Sequence, residues 1–303
     1  METKQTVKKI EAFWKEYATP ISVIIVGVLI AASIYTAPWQ RAPQSPEEAQ
    51  SKLEQSVLPS DGVTLPITWG DLGAKLVEVG AIDTAKLEAL YKDRGGFPAE
   101  YRKLIEKNAN QKIVITNWNS GYLLNLLWAL GLANKNPILE DASEMMNPVY
   151  KGAGNFASTG GWTLARGNAM DHYNMHQLMV LTADQQGIVD RVSRNIFRPC
   201  CGNSTHFPDC NHGMAMLGLL ELMASQGVSE KDMYKTALAV NSYWFPDTYL
   251  TIATYMKNKG VEWKNVSPQE VLGAEYSSGS GYANISSQVT KPQQGQGGGG
   301  CSA

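Results

Sequence analysis

The sequence predicts a mainly α protein, a single globular helical domain behind an N-terminal transmembrane anchor. Three observations predict it. Ile21–Ala37, "ISVIIVGVLIAASIYTA", runs 17 residues without a charge. Downstream, apolar residues recur at helical spacing between capping residues. Only "QKIVIT" at 111–116 reads as a strand, and one strand makes no sheet.

The elements follow in chain order. Lys4, Lys8, Lys9 and Lys15 precede the apolar run, and Trp14 and Trp39 flank it at interface positions. Their separation at helical rise is roughly 37 Å, close to a bilayer with part of its headgroups. Residues 1–17 are therefore expected to be a cytoplasmic segment and 18–38 the anchor, leaving the bulk of the chain extracytoplasmic, periplasmic or at the cell surface. A cleaved signal peptide ending near Ala31-Ala32-Ser33 is the rival reading. Residues 39–60 form a polar linker and short helix, 61–287 the helical domain, and 288–303 a Gly-rich disordered tail.

Within the domain, Thr68-Trp-Gly-Asp71 has the form of a helix cap, followed by Leu72, Leu76 and Val79 at helical spacing and a stop at Gly80. Helices are expected from Asp83 to about Asp93 and from Pro98 to about Asn108. "NSGYLLNLLWALGLAN" from Asn119 is apolar on nearly every side, which suits the central helix of a core. Thr182 and Gln185 form a capping box for a helix reaching about Phe197. The next runs from about His212 to Gln226 and closes at Gly227. Ser229 and Asp232 cap another, and Pro246 forces a break before a last segment ending near Gly260.

Composition excludes some functions. A net charge of −2 offers no basic field for nucleic acid, so none is expected as a partner. No phosphate-loop or dinucleotide glycine spacing occurs. The glycine-rich stretch at 147–167 reads as an irregular loop, or as a loop wrapped over a site.

The chemistry-bearing residues cluster. All four histidines and three of the four cysteines fall between 172 and 212. His172 and His176 are four apart, so a helix would place both imidazoles on one face, as in a two-histidine metal clamp. The intervening Glu of a metallopeptidase is missing, and two core-edge histidines are the plain alternative. In "RPCCGNSTHFPDCNHG", Cys200 and Cys201 are adjacent, His206 follows, and Cys210 and His212 sit where a helix begins. A loop doubling back through Pro208 could gather Cys200, Cys201, His206, Cys210 and His212 around one ion, with His172 and His176 joining. The helix N-terminus beside Cys210 favours thiolate. Sulfur and nitrogen donors, with Met170, Met175, Met179, Met214 and Met216 nearby, suit a transition metal, Cu(I) or Zn(II).

The string "PCCGNSTHFPDC" resembles the signature of the PCYCGC-motif bacterial lipoproteins. Pro199, Cys200, Cys201, Gly202, His206, Asp209 and Cys210 match in kind, while the spacer between the first two cysteines and a third clustered cysteine are missing. The resemblance implies an extracytoplasmic, membrane-tethered, metal-linked protein. Two functions are thus expected: metal handling or electron transfer at the Cys/His cluster, or thiol–disulfide exchange using the vicinal pair Cys200 and Cys201. Cys301, in the tail, is a candidate contact for a thiol or metal-exchange partner.

Overall fold

A computed structural model describes residues 45–106 and 109–289, with scattered positions between 6 and 29. The chain divides into two units, Met1–Ala49 and Gln50–Ala303. In the first, the scattered positions are helical, with Phe13 stacked on Tyr17 at 4.9 Å. Among the described residues no helix is long and apolar enough to cross a membrane. The anchor expected at 18–38 lies almost wholly outside the described residues, as does the tail from 290 with Cys301.

The core of the second unit is built on two helices that are buried on every side. In α5 (Ser120–Ala133) everything after Gly121 is buried, and in α8 (Asn211–Ser225) everything before Ser225. They meet backbone to backbone. A Cβ on Gly131 would stand 2.1 Å from the Met214 carbonyl oxygen, and one on Gly218 2.4 Å from that of Leu127. Only glycine admits so close an approach, which removes both backbones from water and lets the flanking leucines interlock.

Around this pair the predicted caps recur. α1 (Pro46–Val57) is the short helix expected after the linker. α2 (Leu72–Glu78) stops at Gly80, which takes φ +84°. The Asp83 side chain caps α3 (Thr84–Ala89) by accepting from the Ala85 and Lys86 amides, and α4 (Ala99–Glu106) packs against α2. After a single helical turn, α6 (Ala157–Gly160), comes α7 (Ala183–Arg194), whose Thr182/Gln185 capping box is complete. Ser229 accepts from the Asp232 amide to cap α9 (Glu230–Trp244), and Pro246 opens α10 (Pro246–Asn258). Three short helices, α11 (Pro268–Leu272), α12 (Ala274–Ser277) and α13 (Gly279–Ser286), close the unit.

Two expectations need correction. The strand at 111–116 has a partner: β2 (Ala109–Ile115) pairs antiparallel with β1 (Val63–Gly70), Val63 opposite Ile115 and Gly70 opposite Ala109. Leu65, Ile67 and Trp69 alternate into the core, which is the period of a strand, while Pro66 coincides with an irregular register. Thr68 therefore belongs to β1 rather than to a helix cap. Its amide and carbonyl are met by the Gln226 side-chain amide at 2.9 and 2.8 Å, which covers the strand edge. Asp71 makes no side-chain capping bond and pairs with Lys75 instead. The second correction concerns His172 and His176: His172 lies on the turn that follows a 3₁₀ turn at Ala169–Asp171, His176 forms a parallel bridge with Asn134, and the two do not share a helix face.

Candidate metal centre

The thiols sit in the connection between α7 and α8. After α7 the chain reverses, Phe197 bridges Ser204, and the Thr205 and His206 amides donate back to Ile196 and Ser193. Arg198 organises the reversal from within. It is 1 % exposed, and its guanidinium donates to the carbonyls of Asn203, Ser204 and Phe207, to Asp209 Oδ1 at 2.6 Å and to Cys210 Sγ at 2.9 Å. Asn203 Nδ2 donates to the other Asp209 oxygen at 2.8 Å. A single fork of donors thus satisfies a loop that has no ladder of its own. Gly213, one turn into α8, makes room: a Cβ there would lie 2.5 Å from the Arg198 Cζ.

This scaffold brings Cys200, Cys201 and Cys210 together. Their sulfurs all lie within 4.8 Å of one another, with Cys200 Sγ 3.5 Å from Cys210 Sγ, and all three are free and half-buried. The Gly279 amide at the start of α13 donates to the Cys201 carbonyl at 2.8 Å, so the C-terminal helices hold the loop from one side. From another, the Ser158 amide in α6 donates to the Asp209 carbonyl, and Tyr150 and Phe156 pack on Phe207 at 5.5 and 5.4 Å. The glycine-rich stretch at 147–167 is therefore a loop folded against the cysteine loop.

Electrostatics divide the thiols. Hydrogen bonds from Cys200 and Cys201 hold the Cys210 thiol far below its usual range, with the Arg198 charge and the His212 side chain adding to the effect. Cys200 is pushed up by its bonds to Cys201 and Cys210 and by burial. At Cys201 the bond with Cys200 acts downward, but the interaction with Cys210 and burial outweigh it, and the thiol is raised. Of the three, Cys210 is the thiol most disposed to ionise. Burial acts to lower Arg198, yet Cys210, Cys201 and Asp209 outweigh it and keep the guanidinium charged. Asp209 is raised by burial despite Arg198.

The predicted histidines part company. His212 stays beside Cys210, buried, with its ring 4.3 Å from Phe245, and its Nδ1 has no hydrogen-bond partner. His206 is held elsewhere, Nδ1 2.5 Å from Glu144 Oε2 and Nε2 2.9 Å from Asp190 Oδ1. With both ring nitrogens on carboxylates, neither is left for an ion at the cysteines. Asp141, Glu144 and His206 form a second close group of metal-binding atoms. His172 Nδ1 lies 3.1 Å from His176 Nε2, and His172 Nε2 2.9 Å from the Arg166 carbonyl. Among the described residues, no group of mutually close ligand atoms joins His172, His176, His206 or His212 to the three cysteines.

The sequence reading passed over Arg198 and Gly213. Their signal was positional: an arginine directly before Pro-Cys-Cys, and a glycine in the first turn of a helix otherwise rich in helix formers. Comparison with protein-family profiles, with curated proteins and with solved structures found no match.

Proposed function

We propose that this is a membrane-anchored extracytoplasmic protein that binds a transition metal, Zn(II) or Cu(I), through Cys200, Cys201 and Cys210, with His212 as the nitrogen ligand. The observation that carries the reading is the convergence of the three sulfurs within 4.8 Å of one another; His212, two residues after Cys210 in the first turn of α8, has a buried Nδ1 without a hydrogen-bond partner and would have to turn toward the sulfurs to complete the set. A buried polar atom without a partner is costly, and a metal bond would satisfy it. Three sulfurs and one nitrogen form a donor set that closes a structural tetrahedral site and leaves no open position for chemistry. That favours metal carriage or storage over metal catalysis. The uncharged run at 21–37 behind a lysine-rich start supports the anchor, and the PCYCGC-type string supports the placement.

The test is metal analysis of the full chain, purified under reducing conditions and loaded with Zn(II) or Cu(I). One equivalent is expected, lost in Cys200→Ser, Cys201→Ser and Cys210→Ser, weakened in His212→Ala, and kept in His176→Ala. Less than a tenth of an equivalent in the parent protein would sink the proposal.

A second reading rests on the 3.5 Å between Cys200 Sγ and Cys210 Sγ. A thiolate at 210 facing a thiol at 200 is the arrangement of a pair that closes to a disulfide, passing two electrons to a disulfide acceptor whose sulfurs leave as thiolates, one of them taking up the Cys200 proton. It moves the redox pair from Cys200/Cys201 to Cys200/Cys210. Alkylation mapping after treatment with oxidised glutathione tests it: protection of both Cys200 and Cys210 supports the reading, and free thiols at both refute it.

A further inference from the structure

Away from the cysteines, a cleft of about 340 Å³ opens beside the first turn of α5. It lies near the lower end of small-molecule sites, which run from roughly 300 to 1,000 Å³. We propose that it binds a small single-ring aromatic acid carrying a hydroxyl or N–H donor. Its walls are the rings of Tyr91, Tyr101, Tyr122 and Trp118, with the Tyr91 hydroxyl beside the Asn125 amide. Tyr101 and Tyr122 stack in parallel at 4.1 Å, and their hydroxyls are already committed, Tyr122 to the Tyr101 carbonyl at 2.7 Å and Tyr101 to the Trp118 carbonyl at 3.0 Å. Their rings are therefore locked and serve the cleft as apolar surface. Trp118 stands at the rim 74 % exposed, an indole face free to stack on a ring.

Three polar features set the rest of the ligand. Asn125 lines the cleft at 3 % exposure, and its Oδ1 is buried without a partner. It calls for a donor, since an orphaned buried acceptor is destabilising. Arg94, exposed at the rim beside Gly95 and Gly96, offers a guanidinium to an anion. The 14-residue α5 begins at Ser120 in the same wall and adds the positive end of its dipole. A carboxylate toward Arg94, a ring among the aromatics and a donor toward Asn125 complete the match. Gly121 lines the cleft too, and a Cβ there would meet nothing within 4 Å, so the space is open up to the helix backbone.

Calorimetry on the full chain with 4-hydroxybenzoate as probe tests this. Saturable binding with Kd below about 1 mM is expected, with benzoate and phenol each about tenfold weaker for lack of one polar contact. Gly121→Leu, which plugs the cleft and improves helix propensity, should remove binding without lowering the melting temperature. Asn125→Leu should make 4-hydroxybenzoate no better than benzoate, and it reads the same contact without filling the cleft. The proposal is overturned if 4-hydroxybenzoate fails to saturate by about 10 mM, if methyl glucoside binds more tightly, or if both variants keep the parent affinity.

Discussion

Glu221 is the one acidic side chain on the central helix α8, and it is fully buried. Its Oε2 accepts from Asn134 Nδ2 at 3.0 Å, and its Oε1 has no partner. Burial pushes its pKa from 4.5 up to about 8, against a smaller opposing effect of Asn134 and Asn136. The folded state therefore keeps a proton that the unfolded chain releases above its ordinary value. Stability contributed by Glu221 is fully present below pH 4.5, declines as pH rises toward about 8, and is flat beyond. The interval corresponds to an upper limit of about 5 kcal/mol, and structural relaxation reduces it to about 2–3 kcal/mol. Glu221→Gln keeps the shape and the Asn134 bond and removes the titration. At pH 5 the variant and parent should melt within a few degrees of each other. At pH 8 the variant should melt higher by about 4–12 °C, at about 2–4 °C per kcal/mol for a domain of this size. The gap itself, measured by calorimetry across pH, isolates Glu221 from every other titrating group. A gap equal at pH 5 and pH 8 would refute the reasoning, because it would mean that Glu221 ionises alike in both states.

Three further outcomes follow from the thiol loop. Because Cys200 and Cys201 are raised and Cys210 is lowered, loading Zn(II) at pH 7 should release about two protons, measured as the buffer dependence of the calorimetric enthalpy; affinity should rise with pH as the two raised thiols ionise. Arg198→Met leaves Asp209 Oδ1, the Cys210 sulfur and three carbonyls without their donor, and should cost about 3–5 kcal/mol in chemical denaturation, with metal binding lost. Gly213→Ala sets a methyl against the buried guanidinium and should cost about 1–3 kcal/mol, together with an accessible Cys210 in thiol-reactivity assays; parent-like reactivity would show that Arg198 does not need the space.

The helices were legible because each carries its own local signature. Asp83, Thr182, Ser229 and Pro246 act where the caps placed them, and α5 is buried as its uninterrupted apolar run requires. What failed was what depends on a partner far along the chain. Val63–Gly70 alternates like a strand, but Pro66 and the cap-like Thr68–Asp71 obscured it, and only pairing with Ala109–Ile115 gives it a ladder. The histidines failed for a similar reason. Proximity in sequence put His206 among the cysteines, yet Glu144 is 62 residues away and competes for the ring through a charge-assisted bond. The cysteines were read correctly as a group because the loop joining them is short.

Arg198 also bears on which metal the site prefers. Three thiolates bring −3, Arg198 +1 and Asp209, where ionised, −1. A divalent ion leaves the buried group at −1, while Cu(I) leaves it at −2. Excess charge is costly in a half-buried site because the surroundings solvate it less well than water. Sulfur softness alone favours Cu(I), but a nitrogen donor at His212 suits Zn(II) equally. The raised Asp209 acts in the same direction, since protonating it would bring the zinc form to neutrality and still leave the copper form at −1. Charge balance, set by one buried arginine, therefore tips the proposed site toward Zn(II).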